Sequence, residues 1–338
     1  MGLLKNFYDR LNPSTQSYID RFRYCIGWLP RVNQQKSFTY SQGTKATVVI
    51  STDLELAWAW RYVRDTDYPQ KVALQKAQQT RQNLPILLDL FDRFNIPVTW
   101  ATVGHLFLEG CNNSNGHAHP GFPRPPYFEN EFWRYAQGDW FDADPCADYH
   151  QAPAWYAPDL LRTIISTKVK HEIACHTFSH IDCSDSHCPP EVMDAELAEC
   201  QRLAAEWRIK LKSFVFPGHM PGNFASLKRH GFIAYRWHSG YELDVPRKDD
   251  LGLWQIPGGV CWEKPDGWPV DSWIRALQRC VDKAIETETV LHFWFHPSCD
   301  QVNVEAVFPS TLEYIETHRN NLWVTTMSGF VDSLALGK

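Results

Sequence analysis

Two histidines four residues apart, His176 and His180, are the side chains whose types and spacing most directly suggest chemistry. Neutral imidazole is a good ligand for Zn²⁺ and for other divalent transition metals. Two imidazoles and one carboxylate leave coordination positions open for water and substrate, as a catalytic metal site requires. The pair therefore predicts a catalytic metal centre, provided that a carboxylate joins it.

Asp53 and Glu55 are the candidate carboxylates. They follow the apolar, β-branched run 46–52, which predicts a buried strand. Residues two apart on an extended backbone point to the same face, so both acids can project together from the end of this strand. One could bind the metal while the other takes a proton. The alternative is a strand that has simply reached solvent.

A further candidate, His296, follows the apolar strand 289–295. Strand ends in α/β folds often carry catalytic groups, and an imidazole with a pKa near neutrality suits general acid catalysis. His292 lies on the same face four residues earlier. Either residue could instead be an ordinary hydrogen-bonded core histidine, and for His292 this is the favoured interpretation.

The chain resembles the polysaccharide deacetylases that share the NodB homology domain, over roughly residues 46–330. Residues 51–55 (Ser-Thr-Asp-Leu-Glu) resemble that family's first motif, a strand ending in two acids, although the acids are usually adjacent aspartates. Residues 176–180 (His-Thr-Phe-Ser-His) match the second motif, His-Ser/Thr-x-x-His. Three further segments resemble the strand after the first helix, the third motif and the fifth motif: 96–104, 214–219 and 293–297.

The resemblance implies a distorted (β/α)7 barrel and a hydrolase that removes an acetyl group from an N-acetylated sugar of a polysaccharide or glycolipid precursor. Asp53 would be the general base and His296 the general acid. Glu55, His176 and His180 would hold Zn²⁺, or Co, Ni or Fe(II). Backbone N–H groups near residues 217–219 would stabilise the oxyanion. The residues predicted to contact substrate are Pro217, Gly218, His219, Trp58, Arg236 and Trp237.

Two positions depart from the family pattern. Gly218 stands beside Pro217 where the family usually has an arginine that orients the catalytic aspartate, and Arg236 or His219 could replace that cation. Glu55 is one methylene longer than the usual aspartate. Two alternatives therefore stay open: hydrolysis of a cyclic amide such as a ureide on the same fold, and a catalytically inactive glycan-binding protein.

Composition limits the class of protein. The 338 residues are 44% hydrophobic and include 15 Trp and 19 Phe, enough for one core of barrel size or two smaller ones. The net charge of −6 and the absence of a Lys/Arg cluster argue against nucleic acid binding. The N-terminal residues lack a continuous apolar stretch and the ten cysteines are scattered. We therefore expect no secretion signal and reduced thiols in a cytoplasmic protein.

The chain is predicted to divide into an N-terminal extension, 1–44, and a catalytic domain, 45–332. Residues 1–30 could pack on the barrel as helices or rest on a membrane surface. Residues 108–158, rich in Pro, Gly, His, Asn and aromatics, predict an insertion over the barrel mouth. Its polar and aromatic residues could contact sugar or stabilise the loop itself: His117, His119, Arg124, Trp133, Trp140 and Asp142.

A short segment after the histidine motif offers a second metal hypothesis. Cys183, His187 and Cys188 could hold a structural zinc, although the four-ligand pattern is incomplete. The alternative is a loop in which both cysteines are small apolar fillers.

Alternating strands and helices predict a parallel sheet with right-handed crossovers, whose strand C-terminal ends share one face. The strands are predicted at 46–52, 98–103, 213–216, 233–237, 254–257, 290–295 and 322–325, with a strand and the histidine motif over 172–180. The helices are predicted at 71–94, 158–166, 189–210, 223–230, 272–286 and 310–318.

Overall fold

A computed structural model describes residues 15, 19, 43–111, 118–238 and 243–335. One large sheet forms its centre, and a two-stranded hairpin lies apart from it. The strands are β1 (Ala46–Leu54), β2 (Thr99–Thr102), β3 (Phe128–Glu129), β4 (Arg134–Tyr135), β5 (Glu172–Cys175), β6 (Ser213–Val215), β7 (Ala234–His238), β8 (Arg247–Lys248), β9 (Trp254–Gly258), β10 (Val260–Cys261), β11 (Val290–Phe295) and β12 (Leu322–Thr325).

The large sheet curls towards a barrel. Its parallel strands follow the order β11-β1-β2-β5-β6-β7-β9. The chain passes from β9 through Gly259 into β10, which pairs with β11, so a single segment borders both β7 and β11. Antiparallel β8 lies beside β9, and β12 pairs with β1. The predicted α/β architecture with a barrel-like parallel sheet is confirmed.

Helices lie in most of the connections between successive parallel strands, as expected of crossover connections; the described part of the connection from β7 to β9 has none. Some of these helices have a proline in the first turn. The missing N–H costs no hydrogen bond there, because the first N–H groups of a helix have no partner within it. The bounds lie within a few residues of the predicted ones, apart from the last helix, which was not predicted. The helices are α1 (Pro69–Arg93), α2 (Pro158–Ser166), α3 (Pro190–Glu206), α4 (Phe224–Arg229), α5 (Val270–Thr287), α6 (Phe308–Thr317) and α7 (Met327–Ala335).

The alternation of side chains along β1 separates two apolar layers. Val48 and Ile50 pack outward in the larger cluster, against the helices, whereas Val49 belongs to a smaller cluster inside the curl. Ser51, Asp53 and Glu55 continue the inward row towards the C-terminal mouth. The inner cluster takes residues from several strands and from α7: Val49, Ala101, Val215, Ala234, Ile256, Val290, Met327, Phe330 and Val331.

The predicted insertion leaves the barrel after β2 and returns before α2, and its described part contains the β3–β4 hairpin. The domain boundaries stay predictions. Apart from residues 15 and 19, segment 1–42 lies outside the described residues, and so does its predicted packing or membrane contact. Nine cysteines of the described ranges form no disulfide bond. Among the described helices, none is both long and apolar enough for a bilayer crossing.

Candidate metal centre and catalytic cleft

Three donor atoms converge at the C-terminal ends of β1 and β5. The Glu55 Oε1 atom lies 3.2 Å from the His176 Nε2 atom and 3.1 Å from the His180 Nε2 atom. All three residues are buried, and together they form a group able to hold a metal ion. The structure thus brings together the two imidazoles and the carboxylate that the sequence analysis assigned to the metal.

The hydrogen bonding and protonation of these donors suit a cation. The His176 Nδ1 atom lies 2.8 Å from the Val215 carbonyl oxygen, which can only accept, so Nδ1 carries a hydrogen and the Nε2 atom faces Glu55. Burial lowers the pKa of His180 to about 4, which keeps this imidazole neutral. Burial alone would raise the pKa of Glu55, but His296 and then His180 hold it well below its usual range.

The loop between the two histidines is braced by two buried charged residues. The Glu196 carboxylate of α3 accepts hydrogen bonds from the Ser179 N–H, at 2.8 Å, and from the Ser179 hydroxyl, at 2.6 Å. The Arg61 Nη2 atom donates to the Ser179 carbonyl oxygen at 2.9 Å. Thr177 and His180 adopt left-handed backbone conformations, with φ of 58° and 60°. Sequence reasoning missed both braces: Arg61 follows an apolar, aromatic stretch, but Glu196 lies among other acids of α3 that do not distinguish it.

Asp53 is held by Arg236, which reaches it from β7. The two guanidinium Nη atoms donate to the two carboxylate oxygens at 2.7 and 2.6 Å, and both side chains are buried. Burial alone would raise the pKa of Asp53, but the charge and hydrogen bonds of Arg236, together with His176 and His296, lower it. Of the two cations proposed to replace the family arginine, Arg236 is the one in contact with Asp53.

A hydrogen-bonded chain supports Arg236 from below. Its Nη1 atom also donates to the Ser51 hydroxyl at 3.0 Å, and the His292 Nε2 atom lies 2.8 Å from the same hydroxyl. Burial lowers the pKa of His292 to about 3, so this ring is neutral. His292 therefore lies in the core beneath the cleft, as the favoured interpretation of this residue expects.

His296, at the end of β11, is oriented by Glu263. The Glu263 Oε1 atom accepts from both the backbone N–H and the Nδ1 atom of His296, each at 2.8 Å. Burial alone would lower the pKa of His296, but Glu55 and Glu263 raise it to about 9. The imidazole is therefore protonated at neutral pH. Carboxylate oxygens of Asp53 and Glu55 and a His296 ring nitrogen all lie within 4.8 Å of one another.

These groups open into a cleft of about 440 Å³ with aromatic walls. The Trp133 ring of the insertion lies 5.0 Å from the His180 ring, and the Trp60 ring lies 6.2 Å from the His296 ring. The lining residues are Asp53, Glu55, Ala59, Trp60, Val63, Asp65, Thr66, Val72, Phe132, Trp133, His180, Gly218, His219, Trp294 and His296. A larger depression, of about 660 Å³ between α1 and the insertion, includes none of these residues.

Only part of the predicted substrate-contacting set lines this cleft. Gly218 and His219 do, whereas Pro217, Trp58, Arg236 and Trp237 do not. Trp58 is buried beneath the insertion, where its indole N–H donates to the Trp155 carbonyl oxygen at 3.0 Å. Trp237 follows the inward-facing Arg236 in β7 and therefore points to the outer face. Trp60, Trp133 and Trp294 are the tryptophans in the wall.

The turn after β6 explains the departure at Gly218. This residue has a φ of 57°, and an added Cβ atom would lie 2.4 Å from the Trp133 Cη2 atom. A side chain therefore does not fit while the insertion occupies its present place. Pro217 has no N–H, and the His219 N–H donates to the Phe216 carbonyl oxygen at 3.2 Å. Of the three predicted oxyanion positions, the Gly218 N–H is the remaining candidate.

Most other candidates in the insertion stabilise the loop. Arg124 donates to the Asp139 carboxylate and to nearby carbonyl oxygens, and Asp142 accepts from the Asp139 N–H. The Trp140 indole donates to the Ser179 hydroxyl at 2.8 Å. His117 lies outside the described residues.

The segment predicted as a structural zinc site does not gather its ligands. The His187 Nδ1 atom lies 2.9 Å from the Asp182 Oδ2 atom, and Cys183 and Cys188 are buried with their sulfurs near backbone carbonyls. These residues form none of the metal-holding groups found in the described part of the chain. The alternative of small apolar fillers fits this packing.

Comparison with known proteins rests on structure. No protein-family model and no curated protein matches the sequence. A protein named as a polysaccharide deacetylase from Mycobacterium smegmatis superposes with a TM-score of 0.62 at 15% identity, covering 91% of this chain and 96% of its own. A second protein so named, from Pseudomonas aeruginosa PAO1, gives 0.60 at 12% identity, with 88% and 93% covered. The chain has the NodB-type polysaccharide deacetylase fold.

This deacetylase fold also occurs in an allantoinase, which superposes with a TM-score of 0.57 at 12% identity over 86% of this chain and 90% of its own. The fold is therefore shared by structures whose names give different substrates. The choice between substrates has to come from the cleft of this chain.

Proposed function

We propose that this protein is a metal-dependent hydrolase that removes the acetyl group from an N-acetylated sugar of a polysaccharide or glycolipid precursor. The observation that carries the proposal is the convergence of three metal-type donors, an ionised Asp53 and a protonated His296 in one cleft. A carboxylate and an imidazolium of this kind are the base and the acid that amide hydrolysis needs.

Glu55, His176 and His180 are the residues that would hold the metal. Two imidazole nitrogens and one carboxylate oxygen suit zinc in a catalytic site, and they also suit other divalent transition metals. A bound cation of this kind would polarise the acetyl carbonyl and lower the pKa of water from 15.7 to about 7.

The proton transfers are assigned to this chain's own residues. Asp53, fixed by Arg236, accepts a proton from the attacking water. His296, fixed by Glu263, donates its proton to the sugar nitrogen as the carbon–nitrogen bond breaks, so that the amine leaves neutral. The Gly218 N–H is the proposed hydrogen-bond donor to the oxyanion.

The walls of the cleft support a sugar substrate. Trp60, Phe132, Trp133 and Trp294 present aromatic surface beside the acid and the base, and such surfaces stack on the apolar faces of sugar rings. A volume of about 440 Å³ lies within the usual range for ligand pockets.

The test is acetate release from chito-oligosaccharides by metal-free protein to which zinc is returned, with allantoin as a parallel substrate. We expect zinc-dependent acetate release from the wild type and none from Asp53→Asn. Ring opening of allantoin without acetate release would favour the cyclic-amide hydrolase instead. Zinc binding with neither reaction, unchanged in Asp53→Asn, would favour the glycan-binding protein.

A further inference from the structure

A second group of metal-type ligands lies at the base of the insertion, outside the cleft. It consists of His105, in the turn after β2, and of Cys111, His119 and Asp144. One side-chain atom from each residue lies within 4.8 Å of the others. None of the four residues lines the cleft that holds Asp53 and His296.

Three of these atoms meet almost at a point. The His105 Nε2 atom lies 2.9 Å from both the His119 Nε2 atom and the Asp144 Oδ2 atom. The His119 Nε2 atom lies 3.0 Å from the same oxygen, and the Cys111 Sγ atom lies 3.2 Å from it. His105 and Asp144 are buried, and the His119 side chain is only 14% exposed.

Hydrogen bonds alone do not satisfy this arrangement. The His105 Nδ1 atom lies 3.2 Å from the Trp155 carbonyl oxygen, which can only accept, so Nδ1 carries the hydrogen. In the neutral ring the Nε2 lone pair then faces the Asp144 Oδ2 atom with no hydrogen between them. The one hydrogen that the His119 Nε2 atom can carry cannot fill both contacts of that atom, to His105 Nε2 and to Asp144 Oδ2. It also leaves the contact between His105 Nε2 and Asp144 Oδ2 without a hydrogen. A cation at the centre would replace the contacts that lack a hydrogen by coordinate bonds.

The surrounding contacts direct the donors inward. The Asp144 Oδ1 atom accepts from the Tyr156 hydroxyl and, at 2.9 Å, from the Cys146 N–H, which leaves Oδ2 for the centre. The bond from His105 to the Trp155 carbonyl fixes the tautomer in which Nε2 is a ligand. Partners of this kind hold the ligands of protein metal sites in orientation.

We propose that His105, Cys111, His119 and Asp144 form a second, structural zinc site that fastens the insertion to the barrel. Two imidazoles, one thiolate and one carboxylate complete a tetrahedral shell without an open position, as structural zinc sites require. Zinc lies about 2.0–2.2 Å from nitrogen or oxygen and about 2.3 Å from sulfur, so tetrahedral ligands are about 3.3–3.6 Å apart. The four separations given above need to expand by only a few tenths of an ångström, and the remaining pairs of donor atoms lie within 4.8 Å of each other. This proposal is independent of the proposed reaction.

The site would act on the catalytic centre through Phe178, which lies between the two metal-binding histidines. The His105 and His119 rings each lie 5.4 Å from the Phe178 ring. The His105 N–H donates to the Phe178 carbonyl oxygen at 2.9 Å. A metal bound here would therefore stabilise the loop that presents His176 and His180.

The first test counts zinc in the purified full chain by elemental analysis. We expect about two zinc ions per chain in the wild type and about one in the His176→Ala/His180→Ala double variant. Cys111→Ser and His119→Ala should each lower the affinity of the second site for zinc by at least about tenfold. The matched control is Cys146→Ser, a neighbouring cysteine outside the ligand set, which should keep both ions. One zinc in the wild type and none in the double variant would overturn the proposal.

Cobalt substitution gives a second readout that distinguishes the two centres. The set of Glu55, His176 and His180 contains no sulfur, so a thiolate-to-cobalt charge-transfer band in the near ultraviolet cannot arise from the cleft site, and its loss in Cys111→Ser assigns it to Cys111. We expect the band in the wild type and in the His176→Ala/His180→Ala variant, and its loss in Cys111→Ser, whose folding is checked by circular dichroism. A cobalt-loaded wild type without this band would refute thiolate ligation, whatever the outcome of the acetate assay.

Discussion

The orientation of Asp53 depends on one side chain, Arg236, that reaches it across the inside of the sheet. Arg236 uses both Nη atoms on both carboxylate oxygens, and only a planar guanidinium offers that geometry. Lysine would keep the charge and lose one of the paired bonds. The state of the proposed base and its orientation are therefore separable by substitution.

Arg236→Lys should lower kcat/KM for acetate release by at least about tenfold while zinc content stays at the wild-type level, because the base is still charged but no longer clamped. Arg236→Met should in addition lower the free energy of unfolding by about 3–5 kcal/mol, since it leaves a buried carboxylate without its partner. Denaturant unfolding and steady-state kinetics measure the two effects.

The control is Arg202→Met, which removes a half-exposed arginine from a surface pair on α3. It should change the free energy of unfolding by less than about 1 kcal/mol. An Arg236→Met protein as stable as this control would contradict the description of a buried, mutually dependent pair.

His296 makes a pH prediction. Glu55 and Glu263 raise its pKa to about 9 against the effect of burial, so the acid stays protonated at neutral pH and activity should fall as the pH rises through that value. Glu263→Gln keeps an oxygen acceptor for His296 but removes the charge. It should lower the pKa of His296 and move the alkaline limb of the pH–rate profile to lower pH.

The same shift has a consequence for stability. Because the folded pKa of His296 lies above the unfolded value of about 6.5, its stabilising contribution is complete below that pH and is lost as the pH rises through about 9.

The control for Glu263→Gln is Glu286→Gln, which removes the carboxylate charge from the exposed pair Lys283–Glu286. An alkaline limb that stays in place in Glu263→Gln would exclude His296 as the titrating acid.

At the scale of elements, the insertion packs against the turn after β6 in a space that a side chain at position 218 would fill. The Gly218 backbone lies against the face of Trp133, and Trp133 in turn covers His180. An arginine at position 218 and this insertion therefore exclude each other sterically. The guanidinium that the site needs comes instead from β7, in the strand next to β6.

Gly218→Ala should destabilise the protein by about 1–3 kcal/mol through the added Cβ atom, beyond the cost of a positive φ. Gly231→Ala is the matched control, because Gly231 has a φ of 79° but nothing within 4 Å of an added Cβ atom. Thermal unfolding of both variants isolates the steric part. Equal losses in the two variants would mean that Trp133 moves away at no cost.

Sequence periodicity predicted the elements that carry the metal donors and the proposed base and acid. The two-residue repeat places Val49, Ser51, Asp53 and Glu55 on one face of β1 whatever the rest of the chain does. Arg236 was one of two candidates for the cation beside Asp53, but spacing did not select it, and the contacts of Glu263, Glu196 and Arg61 were not predicted. Each joins residues from separate elements, so the three-dimensional course of the chain, and not local spacing, decides which charge meets which.

The positions of two tryptophans also could not be predicted from local spacing. Trp58 and Trp60 lie two residues apart after the acids, yet Trp58 is buried under the insertion and Trp60 faces the cleft. The intervening turn ends the strand alternation that would have put them on one side.

At the scale of the whole molecule, zinc should couple to stability by mass action. A ligand that binds only the folded state stabilises it by about 2.7 kcal/mol at a free concentration 100 times its Kd. The wild type should therefore gain more thermal stability from added zinc than His176→Ala does. Stabilisation by zinc bound elsewhere is common to both proteins and cancels in the difference. Equal gains would remove His176 from the ligand set.

The most direct test of the central claim compares acetate release from chito-oligosaccharides by zinc-loaded wild type and by zinc-loaded Asp53→Asn. The carboxamide keeps the shape of the side chain and cannot take the proton from water. We predict the same zinc content in both proteins, acetate release by the wild type, and a loss of kcat of at least about 100-fold in the variant. Acetate release by Asp53→Asn at the wild-type rate would contradict the account.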